Sequence, residues 1–332
     1  MGMLRSHRIR SERCQMATLL KGTQPFRFQV SNADLKGPFN LMETISSGQT
    51  SKPEWLRDGE SFASVEVLDA TPIKYTVTQL GDADTFSLVV SAITSNPSEV
   101  GADRVRDTFL KMLGLSDDLD FFYRKFTQED RLLSLTFKNL RGLRLMRATN
   151  LFEPLICSML SQNNSVRLWN RSARLIMRYY GRKVNFPDGS QEFLFPTPEA
   201  LSKLNPRSLR STSSTGYRAK SVVAVSRMIV RDELDLGSLV REPYEDAVDL
   251  LLQLPGVGPK VADCFLLYGA GYTQAAPVDV WIHRIVSRLY FDGKKVSRLK
   301  TARYLRDRFH EWAGYAQLYL FDYARTGKVR AG

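Results

Sequence analysis

The sequence contains few cysteines and few histidines, and they lie far apart along its 332 residues. The cysteines are Cys14, Cys157 and Cys264, and the histidines are His7, His283 and His310. Such wide spacing excludes the cysteine framework of a disulfide-rich secreted domain and the Cys-x-x-Cys pairs of many metal sites. The histidines are too scattered for a zinc site. We therefore expect a chain that works in a reducing, intracellular setting and that holds no metal ion.

Long apolar runs are also absent. No stretch approaches the roughly 18 apolar residues that a membrane-spanning helix needs. Hydrophobic residues nevertheless make up 43% of the chain, which is enough to bury a real interior. A chain of this length is expected to form two or three packed subdomains. The sequence thus predicts a soluble protein with no membrane partner.

Acidic residues are outnumbered by basic ones. Lys and Arg number 47 against 35 Asp and Glu, which gives a formal net charge of +12. This excess favours a polyanionic partner, with nucleic acid first and an anionic membrane second. A basic soluble protein without such a partner would have the same composition, so charge alone does not decide the function.

Residues 1–20 form an Arg-rich tail that lacks the hydrophobic centre of a secretory signal. The tail is an organelle presequence, a disordered basic arm or the product of a start codon assigned ahead of Met16, and the sequence leaves these alternatives open. We expect the protein to be intracellular and to be found with DNA.

Two kinds of periodicity divide the rest of the chain. Residues 21–101 carry short runs of β-branched and apolar residues separated by Gly, Asp, Ser and Pro, and these predict an antiparallel sheet domain. Residues 102–332 carry apolar stripes at three- and four-residue spacing, which predict helices. The last long helix is expected over about residues 298–325, and the irregular segment 183–196 is expected to be a surface loop. The fold class is therefore α+β.

The most informative segment lies within residues 242–290. An apolar helix there runs into Leu254-Pro255-Gly256-Val257-Gly258, and Pro259 begins a second helix. The two glycines, Gly256 and Gly258, leave backbone N–H groups beside a helix N-terminus, which suits phosphate binding. The pattern predicts a helix–hairpin–helix that holds a nucleic-acid backbone without reading its sequence. The alternative is an ordinary turn between helices, which needs glycine less strictly at both positions.

Two charged residues near this hairpin point to catalysis. Lys260 falls in the first turn of the second helix, where the helix dipole and partial burial favour the neutral, nucleophilic amine. Asp279 follows nineteen residues later at the start of another helix, where its carboxylate could stabilise positive charge on a sugar ring. A phosphate contact is the alternative role for Lys260, and a simple helix N-cap is the alternative for Asp279.

The segments LPGVGPKVAD and PVDV resemble the helix–hairpin–helix, Gly-Pro-Asp superfamily of DNA base-excision glycosylases. The retained Lys260 resembles the bifunctional members, and further motifs over about residues 38–325 are similar to the 8-oxoguanine DNA glycosylases. The resemblance implies a small antiparallel sheet domain followed by two mainly helical subdomains. It also implies excision of 8-oxoguanine from double-stranded DNA by way of a Schiff base on Lys260, with Asp279 as its partner and strand cleavage by β-elimination. No metal or organic cofactor is implied, and we expect a monomer.

The resemblance also assigns a pocket for the damaged base. Gly48 would accept a hydrogen bond from the purine N–H that only oxidised guanine carries. Cys264 would pack against the purine beside Lys260, while Gln317 and Phe321 would bind the base edge and stack on its face. From the residues alone, Gly48 would belong to a turn and Cys264 would be a small buried residue.

Two further segments would contact DNA around the extruded base. Gln162, Asn163 and Asn164 would fill the vacated space and contact the orphaned partner base. Tyr217 would insert beside the lesion, and Arg218 would donate to the opposite base. Without the resemblance, the first segment could be a helix end and the second an ordinary surface turn.

The sequence departs from the family pattern at two positions. Trp281 stands where animal members have a phosphate-contacting His, and Leu168, next to Arg167, stands where they have an Arg. Because of Trp281, the resemblance does not imply this phosphate contact. Because of Leu168, it does not imply a strong preference for cytosine opposite the lesion. No four-cysteine cluster follows the motif, which disfavours the iron–sulfur relatives. Two rival functions are a non-enzymatic DNA-binding module and a glycosylase for another lesion, although Lys260 disfavours the alkylpurine type.

Overall fold

The computed structural model describes residues 25–325. The expected basic tail at residues 1–20 lies outside the described residues. Five antiparallel strands form one sheet in the order β1-β5-β4-β3-β2. Their bounds are β1 Phe26–Ser31, β2 Leu56–Asp58, β3 Ser61–Leu68, β4 Thr71–Gly81 and β5 Phe86–Ile93. The predicted antiparallel sheet is confirmed.

One face of the sheet is buried, and this face is apolar along the central strands β4 and β5. In β4, Ile73, Tyr75 and Val77 are fully buried at two-residue spacing, as the alternation of side chains along a strand requires. A helix over Ala102–Met112, α2, covers this face and buries Val105 in the same core. This helix follows residue 101 in the chain but shares the core of the sheet. The predicted domain boundary at residue 101 therefore stays a prediction.

The rest of the described chain is mainly helical. An early helix, α1, covers Leu41–Ser46. The helices after α2 are α3 Leu119–Glu129, α4 Arg131–Phe137, α5 Phe152–Leu160, α6 Val166–Tyr180, α7 Pro198–Ser202, α8 Pro206–Ser213, α9 Ala219–Val230, α10 Leu236–Leu239, α11 Tyr244–Leu252, α12 Pro259–Phe265, α13 Val280–Tyr290, α14 Arg298–Phe309 and α15 Ala313–Arg325. They share a second, larger hydrophobic core. The predicted α+β class is confirmed.

The elements around this second core are those that carry the chemistry. Residues 154–160 of α5 and 261–265 of α12 are buried, so these helices are fixed within the core rather than lying on its surface. The α12 helix continues into a wider turn over Leu266–Ala270. Within residues 25–325, no helix combines the length and the apolarity that crossing a membrane requires.

Two expectations about local structure were wrong. The segment 183–196 is not an irregular loop, because it contains a hairpin of strands β6 Lys183–Asn185 and β7 Gln191–Phe193. Lys74 in the sheet stabilises this hairpin, since its Nζ donates to Asp188 Oδ2 at 2.9 Å. Strands of three residues are too short to show an alternating pattern.

The predicted helix over residues 298–325 is in fact two helices, α14 and α15. The break falls at His310, whose φ of 49° and ψ of −126° lie outside the helical region. After the break, the backbone N–H of Gly314 donates to the Thr273 carbonyl at 2.8 Å. A Cβ on Gly314 would lie 2.3 Å from Leu267 Cδ1, so this close tertiary contact directs the second helix.

Candidate active site

A cavity of about 480 Å³ lies where the loop after α1, the end of α5, and helices α12, α13 and α15 meet. Most of the residues singled out in the sequence line it. They are Gly48, Gln162, Asn163, Asn164, Gly258, Lys260, Cys264, Asp279, Gln317 and Phe321. Residues that are far apart in the chain are thus brought to one site by the fold. Gly256, Tyr217 and Arg218 do not line the cavity.

The two glycines of the hairpin differ in what the fold requires of them. Gly256 has a φ of +81°, and a Cβ there would lie 2.4 Å from Ser221 Oγ, so the chain itself requires glycine. Gly258 has an extended backbone with a φ of −113°, and a Cβ there would meet no atom within 4 Å. The fold alone therefore leaves Gly258 free to be replaced, and its surface is open to an approaching ligand.

Lys260 lies in the first turn of α12, as predicted, and is half-buried. Its Nζ donates a hydrogen bond to Ser161 Oγ at 2.6 Å. Cys264 lies one turn further along the same helix and is 4% exposed. Burial raises the pKa of the Cys264 thiol, while the neighbouring Lys260 ammonium partly opposes this effect. The cysteine is therefore a neutral thiol beside the amine.

Asp279 is the N-cap of α13, since its Oδ1 accepts a hydrogen bond from the Ile282 backbone N–H at 2.8 Å. The four residues before it, 275–278, are buried and hold the chain against the core. The cap fixes one carboxylate oxygen, and the half-buried side chain lines the same cavity as Lys260. The capping role and a role in chemistry are therefore compatible.

Helix α15 also lines the cavity, through Gln317 and Phe321. Gln317 is 4% exposed, and its Oε1 accepts a weak hydrogen bond from the Tyr268 hydroxyl at 3.4 Å. Phe321 lies one turn later and is half-buried. At the rim, Gly48 has a φ of +80°, and a Cβ there would lie 2.6 Å from Val166 Cγ2. Glycine is thus required at this position, while the role of its carbonyl stays a prediction.

The two predicted DNA-contact segments lie against each other beside the cavity. Tyr217 is 57% exposed, and its hydroxyl donates to Gln162 Oε1 at 3.3 Å. Arg218 is buried and donates to backbone carbonyls, from Nε to Gln162 at 2.9 Å and from Nη2 to Asn163 at 3.1 Å. In this structure, Arg218 therefore braces the Gln162–Asn163 loop. Its contact with the opposite base stays a prediction.

The two positions that depart from the family pattern are both accessible. Trp281 lines the cavity and is 47% exposed. Leu168 is also 47% exposed, in the first turn of α6. Arg167 is on the same helix, so its side chain points about 100° away from that of Leu168.

Sequence reasoning missed three residues that belong to the site. Ser161 directly precedes the predicted segment of Gln162, Asn163 and Asn164, and its contact with Lys260 could not be foreseen from that position. Tyr268 follows Lys260 and Cys264 at four-residue spacing, and this helical spacing could have predicted that it belongs to the site. Asp263 also lines the cavity, and burial raises its pKa to about 6, opposed by a hydrogen bond from the Tyr244 hydroxyl. Among residues 25–325, no group of three or more His, Cys, Asp or Glu side chains could hold a metal ion.

Comparisons with known proteins identify relatives of this chain. Residues 156–311 match the HhH-GPD superfamily of base excision DNA repair proteins. The chain is 34% identical over 307 residues to a probable N-glycosylase/DNA lyase of Methanothermobacter thermautotrophicus, covering 87% of this chain and 94% of the relative. The fold is similar to that of MBOgg1 in complex with a low-affinity DNA ligand, with a TM-score of 0.77 and 25% identity over 92% of this chain and 99% of that chain.

A further structural match is the Clostridium acetobutylicum 8-oxoguanine glycosylase/lyase in complex with double-stranded DNA containing cytosine opposite 8-oxoG. Its TM-score is 0.75 and its identity is 23%, over 91% of this chain and 99% of that chain. At this identity, the match shows a shared fold alone. The archaeal relative, however, is similar over nearly its whole length. The chain therefore belongs to the N-glycosylase/DNA lyase family, within the HhH-GPD superfamily of base excision DNA repair proteins.

Proposed function

We propose that this protein is a bifunctional glycosylase and lyase that removes 8-oxoguanine from double-stranded DNA. The observation that carries the proposal is the placement of Lys260 and Asp279 at the N-termini of two helices that line one cavity. The cavity of about 480 Å³ also fits the size of ligand sites in general. The archaeal N-glycosylase/DNA lyase relative supports the same pair of activities.

The reaction begins when duplex DNA is bound and bent, and the damaged nucleotide is extruded into the cavity. The neutral amine of Lys260 attacks the anomeric carbon of the sugar. A bond from Nζ to this carbon forms as the bond to the base breaks, and the base leaves with the electron pair and takes up a proton. The Asp279 carboxylate stabilises the positive charge that develops on the sugar ring.

The lyase step follows from the same covalent bond. Nζ loses a proton and the sugar ring opens, which gives a Schiff base between Lys260 and the former anomeric carbon. Loss of a proton from the adjacent sugar carbon then expels the 3′ phosphate by β-elimination. The amine, the sugar and water supply every bond and proton in these reaction steps.

Selection of the lesion is assigned to three other residues that line the cavity. The Gly48 carbonyl would accept a hydrogen bond from the imidazole-ring N–H that 8-oxoguanine has and guanine lacks. The amide of Gln317 would bind the edge of the base, and the ring of Phe321 would stack on its face. The near-complete burial of Gln317 in the cavity wall supports this role, because its Oε1 accepts only a weak hydrogen bond, from the Tyr268 hydroxyl at 3.4 Å, and a ligand edge could bond the amide more strongly.

Two alternatives are less well supported. A DNA-binding module without activity leaves the shared cavity of Lys260 and Asp279 unexplained. A glycosylase for alkylated purines has no need of an amine nucleophile such as Lys260 at this position. We also propose that the protein acts as a monomer, and that it works wherever the cell keeps DNA.

The proposal is tested with duplexes that each contain one lesion: 8-oxoguanine, an alkylated purine or an oxidised pyrimidine. Base release is measured under single-turnover conditions, and covalent capture is measured in borohydride. We expect fast release and capture with 8-oxoguanine, and slow release with the other two lesions. Preferred release of another base would show that the lesion is wrongly assigned. Release without capture would contradict the lyase chemistry.

A further inference from the structure

Ser161 binds the amine of Lys260 but takes no part in the proposed reaction steps. Lys260 Nζ donates to Ser161 Oγ at 2.6 Å, and Ser161 is buried at the C-terminal end of α5. The Ser161 hydroxyl donates its own proton to the Ser158 carbonyl at 2.7 Å. Because that proton is already used, the lone pairs of Oγ face the amine, and Ser161 acts towards Lys260 only as an acceptor.

Ser161 is itself held firmly by backbone and side-chain contacts. Its N–H donates to the Cys157 carbonyl at 3.0 Å, which continues the hydrogen bonding of α5. Asn164 Nδ2 donates to the Leu160 carbonyl at 3.1 Å. Arg218 binds the carbonyls of the two residues that follow Ser161. The acceptor for the amine is therefore fixed between a buried helix and a braced loop.

We infer that Ser161 is a positioning residue for Lys260, an inference that rests on the proposed function. A lysine side chain has four rotatable carbon–carbon bonds and loses considerable entropy when one geometry is imposed. The bond to Ser161 fixes one amine hydrogen and so restricts the nitrogen to one place at the cavity that Lys260 lines. Attack requires the reacting atoms to be brought to about 3–3.5 Å in an aligned arrangement. Ser161 thus prepares the nucleophile before the lesion arrives.

The test compares Ser161→Ala with Ser226→Ala. Ser226 is a matched control because it is also buried and its hydroxyl also donates to a backbone carbonyl of its own helix, that of Val222 at 2.8 Å, in α9. For Ser161→Ala we expect base release and borohydride capture to slow by about tenfold, the order expected when one hydrogen bond is lost. The dissociation constant for the lesion duplex should stay within about twofold. Ser161→Thr should restore most of the rate.

Rescue by the conservative variant and the split between rate and binding separate positioning from a structural defect. A loss of folded protein would lower base release and duplex binding together, and Ser161→Thr would not restore the rate. Equal rates for Ser161→Ala and the Ser226→Ala control would overturn the inference. Failure of the proposed function would be distinguished by undiminished covalent capture in Lys260→Gln, whatever the result at Ser161.

Discussion

At the scale of single residues, Asp279 combines a helix cap with a charge that faces the cavity. Asp279→Asn separates these roles, because Asn is as good an N-cap as Asp but carries no charge. We expect single-turnover base release to slow by about 100-fold or more, as when an electrostatic group of an active site is removed. Duplex binding and melting temperature should change little. A loss of activity no larger than the loss of folded protein would contradict a catalytic role.

Leu168 provides a second test at this scale. The family resemblance implies contact with the orphaned cytosine by an Asn and two Arg residues, whereas this chain has Asn163, Arg218 and the exposed Leu168 at those positions. We therefore expect only a weak preference for cytosine over adenine opposite the lesion. Leu168→Arg should strengthen that preference by about tenfold, because a bidentate contact discriminates between bases by roughly 1–3 kcal/mol.

The measurement for Leu168 is single-turnover excision on duplexes that differ only in the opposite base. Leu168→Lys serves as the control, since Lys adds the same charge without the bidentate geometry of Arg. Strict dependence on cytosine in the unmodified protein would show that another group reads the opposite base.

At the scale of elements, the two hairpin glycines form a matched pair. Gly256→Ala should lower the free energy of unfolding by about 1–3 kcal/mol, because it forces a side chain into a left-handed backbone beside Ser221. Gly258→Ala should leave the melting temperature unchanged, since its Cβ would meet no protein atom within 4 Å. It should instead weaken binding to undamaged duplex. Thermal unfolding and duplex titration of both variants provide the test, and tight binding by Gly258→Ala would argue against a phosphate at that position.

The sequence predicted these elements well wherever their periodicity is long. The α6 helix over Val166–Tyr180 and the strands β4 and β5 have clear patterns, because one face of each is buried. The hairpin at β6 and β7 was missed, because its strands are three residues long and it is held by Lys74 from a distant strand. The break at His310 was missed because the apolar pattern continues through it, while a tertiary contact of Gly314 redirects the chain.

The sequence predicted only those residues of the candidate site that lie beside a local motif. Lys260 and Asp279 are recognisable because each stands at the start of a helix beside a sequence motif. Ser161 lies 99 residues before Lys260 and meets it only through packing of α5 against α12. A contact of that range leaves no local pattern in the sequence.

At the scale of the whole molecule, the net charge of +12 predicts how DNA binding responds to salt. Lys and Arg side chains that displace counterions from phosphates make affinity fall as salt rises. We expect the affinity for undamaged duplex to fall by roughly 100-fold or more between about 50 and 200 mM salt. Affinity that does not change with salt would contradict binding through a basic surface.

The central claim is that Lys260 forms a covalent bond with the sugar of an excised 8-oxoguanine. The most direct measurement compares borohydride capture of a duplex containing 8-oxoguanine opposite cytosine by the unmodified protein and by Lys260→Gln. We predict capture by the unmodified protein at Lys260, identified by mass spectrometry of the adduct. Lys260→Gln should show none, although it should bind the lesion duplex about as tightly. Full capture by Lys260→Gln, or an adduct at another residue, would contradict the account.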